Sequence, residues 1–282
     1  MNKKMTLSLA WILAMSLWAY AIPSMADSNA NRRAVTVGID QAIFPFSDKD
    51  ADSGLEVEVI RAALESQNLQ TRFLYLSNAR VDKEFANKHI DIHTAAVPGP
   101  EYGKAFLSRF PITAFKNEVI YLKAKNLKLN SIADLSGLRV MAWQGASEFL
   151  GPQYAQMAKT NSRYSESPIM PAIMLKMDRV DVFVSQPDIF RANLLQAIPK
   201  SEASTALSEV GYADLLPSAM RYWYAFQDPK LRDAYENGLK KIYQTGQMET
   251  LLKKYHDEFG TSRGYFIELD CRFLKNRPRC PL

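Results

Sequence analysis

From residue 34 onward, short apolar runs alternate with longer stretches in which apolar positions recur every three or four residues. Ala34-Val35-Thr36-Val37-Gly38-Ile39 is brief and β-branched, the pattern of a buried strand. Leu55, Val59, Ala62 and Ala63 share one face of a 3.6-residue period, which predicts a helix over 55–67. Between them, Phe44-Pro45-Phe46-Ser47 and the Asp-rich stretch to Gly54 read as a loop. Residues 71–76 predict a second strand, 80–88 a short helix, and Ile90-Asp91-Ile92-His93-Thr94 a third strand. Strand, helix, strand, helix, strand implies βαβ crossovers and a parallel sheet.

The order then begins again. Residues 118–124 predict an extended crossing, 131–137 a turn, and 138–142 a strand. A helix is expected from Gln144-Gly145-Ala146-Ser147 toward Lys159, a strand at Val180-Asp181-Val182-Phe183-Val184, and a helix over 189–197. Tyr222-Trp223-Tyr224-Ala225-Phe226 reads as extended, and helices over 229–245 and 247–259 close the pattern. The simplest architecture is α/β: two similar lobes, each a mostly parallel sheet flanked by helices, joined by two hinge crossings.

The first 26 residues do not fit this pattern. Lys3 and Lys4 precede an uncharged apolar run over 7–22, and Ser24-Met25-Ala26 places small residues at the −3 and −1 positions of a cleavage site. This is the layout of a secretory signal peptide cut after Ala26, with an uncleaved anchor as the alternative. No Cys near the cut offers a lipid attachment point, so the expected destination is the periplasm. Formal charge is +5, with both signs scattered along the chain, and no basic run suggests nucleic acid. The two cysteines, Cys271 and Cys280, lie close together near the end and are expected to pair in an oxidising compartment. The three histidines have no metal-site spacing, and no cofactor motif is present.

Several segments together carry a resemblance. They are Val37-Gly38-Ile39-Asp40 with Phe44-Pro45-Phe46-Ser47, Gly54-Leu55-Glu56-Val57-Glu58-Val59, Asn87-Lys88-His89-Ile90-Asp91-Ile92, and Phe106-Leu107-Ser108 before Pro111. Asp134-Leu135-Ser136-Gly137-Leu138-Arg139-Val140, Gly145-Ala146-Ser147, Arg179-Val180-Asp181 and Gly246-Gln247-Met248 with Lys254-Tyr255 complete the set. In order and spacing, residues 34–260 resemble the periplasmic solute-binding proteins of family 3, which include polar amino-acid receptors of ABC importers. The resemblance implies a clamshell, with residues 27–121 and 223–282 as the first lobe and 122–222 as the second, that closes on a small molecule between its lobes. An ABC permease or a periplasmic sensor domain would be its partner, and a monomer is expected.

Relatives that hold α-amino acids grip the carboxylate with an Arg in a Thr-Pro-Glu-Arg run and receive the ammonium with an Asp after a strand of the second lobe. The corresponding run here is Gly99-Pro100-Glu101-Tyr102, with Tyr102 in place of the Arg, and Ser185 or Gln186 stands where the Asp would be. A zwitterion enclosed without opposite charges faces a penalty of several kcal/mol per ion, so a ligand other than a standard α-amino acid is expected. Candidate contacts are Phe44 and Phe46 after the first strand, Thr94 and Ala95 ending the third, and Trp143 as an aromatic platform. Arg80 could supply a positive charge or pair on the surface. The N–H groups of Gly145, Ala146 and Ser147 could receive an anion or serve only their own helix.

Two other classes stay open beside the receptor. One is a clamshell with a degenerate cleft that docks on a periplasmic partner. The other is a dehydratase-like enzyme on this fold, with Asp40 or Glu101 as acid or base. No GxSxG, HExxH, P-loop or GxGxxG motif supports catalysis.

Overall fold

The computed structural model describes residues 34–102, 105–169 and 171–274. The leader over 1–26 and the expected partner of Cys271, Cys280, lie outside the described residues. No helix among the described residues is long and apolar enough to cross a membrane. The chain begins with β1 (Val35–Asp40), α1 (Leu55–Glu65), β2 (Thr71–Leu76), α2 (Asn78–Ala86), β3 (Ile92–Ala96), β4 (Phe106–Leu107) and β5 (Thr113–Phe115). It continues with β6 (Glu118–Leu122), β7 (Val140–Trp143), α3 (Ala146–Phe149), α4 (Pro152–Thr160), β8 (Tyr164–Ser167) and α5 (Ile173–Lys176). Then come β9 (Val182–Ser185), α6 (Pro187–Ala197), α7 (Ala203–Glu209) and β10 (Val210–Ala213). Last are β11 (Met220–Phe226), α8 (Pro229–Gln244), α9 (Gln247–Phe259) and α10 (Ile267–Phe273).

These strands form two separate sheets, one per lobe. The first runs β2-β1-β3-β11-β4, with β5 also paired to β11, and the second runs β10-β6-β9-β7-β8. Both repeat one plan. Three parallel strands are ordered second, first, third, and an antiparallel strand lies beside the third. A matching carboxylate supports each lobe at the amino end of its third strand. Asp91 accepts from the Thr36 backbone N–H at 2.9 Å, and Asp181 from that of Arg139 at 2.8 Å. These two motif residues stitch neighbouring strands together at the amino ends of the third strands.

The two connections between sheets fall earlier than the sequence pattern suggested. The chain leaves the first sheet after Phe115 and enters the second at Glu118, and it returns between Ala213 and Met220. The sequence-based boundaries at 121/122 and 222/223 placed most of β6 in the wrong lobe. The sequence placed each boundary inside a strand, β6 or β11, and strand pairing shows which sheet each belongs to. An ion pair of Lys116 with Asp214 ties the two connections. The single helix expected after Gln144 is two, because Gly151, at φ 89°, breaks it and Pro152 starts α4.

Residues 261–274 also depart from a simple tail. A short 3₁₀ turn, Arg263–Phe266, and α10 pack back on lobe one, burying Tyr265, Phe266 and Leu269 in its core. Arg263 holds the turn to α10 through Asp270 at 2.9 Å. Elsewhere in that core, α1 and α8 approach so closely that a Cβ on Gly238 would overlap the Ala63 carbonyl. Gly238→Ala should therefore lose about 1–3 kcal/mol by overpacking, although alanine normally favours a helix. Urea unfolding would measure it, and an unchanged or raised midpoint would contradict this packing.

Candidate functional site

In open α/β sheets, ligands meet the carboxyl ends of the strands. In lobe one those ends are Asp40, Leu76 and Ala96; in lobe two they are Trp143, Ser167 and Ser185. The residues singled out from sequence lie in the last residues of these strands, in the loops that follow, or in the first turns of the next helices. The structure uses many of them differently.

Lobe one is organised around a buried carboxyl. Glu56, in the first turn of α1, is 2% exposed and accepts hydrogen bonds from the Tyr224 and Tyr265 hydroxyls, the latter at 2.5 Å. Burial pushes its pKa up from 4.5 to about 7. The two hydroxyls oppose that rise, and the nearby Asp40 charge adds to it. Tyr265 lies flat on Phe46, ring centroids 3.6 Å apart. Phe46 is therefore fully buried and offers no surface to a ligand, which corrects the sequence expectation for that ring. The tail that covers it had no signature in the hydrophobic pattern. Phe44 is half-buried, edge-on to Phe259 of α9 at 5.0 Å.

Along the rest of that rim, Thr94 is buried and its hydroxyl donates to the Gly38 carbonyl at 3.2 Å, while Ala95 is half-buried. Tyr102 packs edge-to-face on His93, with centroids 5.6 Å apart. His93 is itself buried, with Nε2 2.7 Å from Asp82. Arg80 is exposed in the first turn of α2 and has no ion pair among the described residues. Asp40 accepts from the Ala42 N–H at 2.8 Å, and burial raises its pKa against that bond.

In lobe two, the N–H groups expected to receive an anion are already occupied. Glu166 of β8 accepts from Gly145 N–H at 2.7 Å, from Ser147 N–H at 2.8 Å and from the Tyr164 hydroxyl at 2.6 Å. Ala146, between them, is buried. Both sequence readings of this loop are thus corrected: neither a free anion site nor a self-contained cap, it is capped by a carboxylate from the next strand. Trp143 stacks on Phe149 at 5.9 Å, and its indole N–H is enclosed without a hydrogen-bond partner among the described residues. Ser185 is buried with a 3.4 Å bond to the Gln186 carbonyl. Gln186 caps α6 by accepting from Ile189 N–H at 2.9 Å and donates to Asp188 at 3.1 Å. The polar groups of these two are therefore committed within the chain.

Two features link the lobes near this region. Asp188, 1% exposed, accepts from Gln186, from Arg191 at 3.1 Å and from the Ser262 hydroxyl at 2.7 Å. Arg191 also donates to the Gly260 carbonyl of lobe one. Glu118, at the start of β6, is half-buried, and its side chain has no hydrogen bond or ion pair among the described residues. Burial raises its pKa; Lys116 counters this, and Asp214 and Asp188 reinforce it.

Sequence reasoning missed Glu56, Glu166, Asp188 and Tyr265. Only Glu56 had an available signal, since Glu56, Ile60 and Ala63 fall on one helical stripe. The other three act across elements distant in sequence.

Two lobes that repeat one α/β plan, joined by two connections, define a two-lobed clamshell fold. The chain belongs to the bacterial extracellular solute-binding proteins, family 3, whose model matches residues 35–258. It is 25% identical over 271 residues to the arginine-binding extracellular protein ArtP of Bacillus subtilis (strain 168), covering 90% of this chain and 98% of that one. Among solved structures, it is similar to an ABC uptake transporter substrate-binding protein from Streptococcus pneumoniae with bound histidine. There the TM-score is 0.59 at 15% identity, covering 80% of this chain and 93% of that one. A histidine kinase sensor domain similar to periplasmic binding proteins matches with TM-score 0.59 at 18% identity, over 79% of this chain and 96% of that one.

Proposed function

We propose that this protein is a periplasmic receptor, exported by a cleaved leader over 1–26 and paired at Cys271 and Cys280, that serves an ABC importer. It works as a monomer and binds a small molecule between its lobes without turnover. The ligand is not a zwitterionic α-amino acid. One observation carries that exclusion: Gln186, at the position of the expected acid, is committed to capping α6 and to Asp188, while Tyr102 fills the place of the carboxylate-gripping Arg. A zwitterion would leave water without recovering either charge pairing. Phe44, Ala95, Tyr102 and Trp143 remain as contacts.

The internal commitment of so many cleft groups also favours a second reading, a docking protein or sensor partner with a closed-off cleft. Thermal unfolding of the purified protein against panels of amino acids, amines, sugars, organic acids and nucleosides separates the two. A ligand at a hundred times its dissociation constant adds about 2.7 kcal/mol, which for a chain of this size is a rise of about 5 °C or more. A rise with a non-amino-acid panel is expected. A rise with ordinary α-amino acids would overturn the exclusion, and silence across all panels would favour docking.

A further inference from the structure

We propose that the segment at the end of α9, residues 259–266, is a strap that ties α6 of lobe two to the loop after β1 of lobe one. It holds the lobes in the arrangement seen here and so regulates the binding site, an inference that rests on the receptor reading above. The family match ends at residue 258, and the strap lies just beyond it. At the lobe-two end, the Ser262 hydroxyl donates to Asp188 at 2.7 Å and Arg191 donates to the Gly260 carbonyl. Asp188 is buried, and Ile189 beside it packs against the core of lobe one. Gly260, at φ 68°, permits this approach, since a Cβ there would lie 3.1 Å from Arg191 Cδ.

The lobe-one end of the strap is fixed. Tyr265 is buried flat on Phe46 and donates to Glu56, and Phe259 meets Phe44 edge-on. Arg263 donates to Asp270 at 2.9 Å and to Glu249 at 2.6 Å. The lobe-two end is reversible, because it consists of polar bonds and one apolar side chain rather than a shared core. Release also recovers something. The Thr261 hydroxyl is buried without a hydrogen-bond partner among the described residues, and in water it would find one. The two connections add little, since their ion pair of Lys116 with Asp214 is exposed. A clamshell held in this way binds in proportion to the fraction of molecules whose lobes reach the competent arrangement. Ser262 and Arg191 therefore act as positioning residues, through the lobes, on apparent affinity.

The test cuts the strap at one bond and reads the lobes without any ligand. Spin labels at Lys49→Cys and Lys159→Cys, both exposed and one in each lobe, report the inter-lobe distance. The labelled protein with the strap intact should give one narrow distribution. Ser262→Ala should broaden it and lower the ratio of strapped to released molecules by about tenfold, the worth of one hydrogen bond to a charged group. Ser262→Asp keeps an acceptor for the Gly264 N–H but sets a like charge against Asp188, so it should release the strap further. Ser262→Thr keeps the hydroxyl and should restore the narrow distribution. Gly238→Ala, within the α1–α8 contact of lobe one, should lower the unfolding midpoint and leave the distances unchanged. Narrow distributions in both Ser262→Ala and Ser262→Asp, or equal broadening in Gly238→Ala, would overturn the inference. The receptor reading fails separately, when the unaltered protein binds no small molecule in the ligand panels.

Discussion

Glu56→Gln should flatten the pH dependence of unfolding between about pH 4.5 and 7. The carboxyl has a pKa of 4.5 in an ordinary setting and about 7 in the fold, so the folded protein holds this proton more tightly than the unfolded chain does. The resulting stabilisation is complete below pH 4.5, declines as pH rises, and is gone above 7. The shift corresponds to about 3 kcal/mol. Gln cannot ionise but can still exchange hydrogen bonds with Tyr224 and Tyr265, so its stability relative to the unaltered protein should improve by about that amount across the interval. Urea midpoints below, within and above the interval would show it. Parallel profiles would mean that Glu56 stays ionised in the fold. The effect bears on the cleft, because Tyr265 connects this carboxyl to Phe46 and the loop after β1.

The second large effect is expected at Asp188. Asp188→Ala removes the shared acceptor of Gln186, Arg191 and Ser262 and leaves the three-quarters-buried Arg191 side chain without its carboxylate. Breaking an enclosed charge pair from one side is costly, and a loss of about 3 kcal/mol is expected. The Ser262 bond also joins the lobes, so the substitution should broaden the spread of inter-lobe distances. Spin labels at exposed Lys49 and Lys159 would read that spread. An unchanged distribution together with a lost midpoint would reduce Asp188 to a stabiliser of lobe two. No change in either would remove it from the account.

The order of elements was largely legible in the sequence. α1 and α9 carry their periodicity and glycine boundaries in adjacent residues, and β1 and β2 are short apolar runs of the predicted length. β8 was not legible, because Tyr164-Ser165-Glu166-Ser167 is polar and lies at a sheet edge where alternation is weak. Nor was the fold-back of residues 261–274, whose apolar residues are too few and too close to the end to show a period. At the site, Tyr102 and Gln186 were visible as substitutions at motif positions, while the state of Gly145 and Ser147 was not.

By itself, the sequence determined the two-lobed α/β plan and the family, because each is carried by residues that are neighbours along the chain. Only the tertiary structure decided which cleft groups are available. Glu166 reaches the Gly145 loop from another strand, and Tyr265 covers Phe46 from more than two hundred residues away. A hydrogen bond or a ring contact depends on distance in space, and a hydrophobic pattern records only distance along the chain.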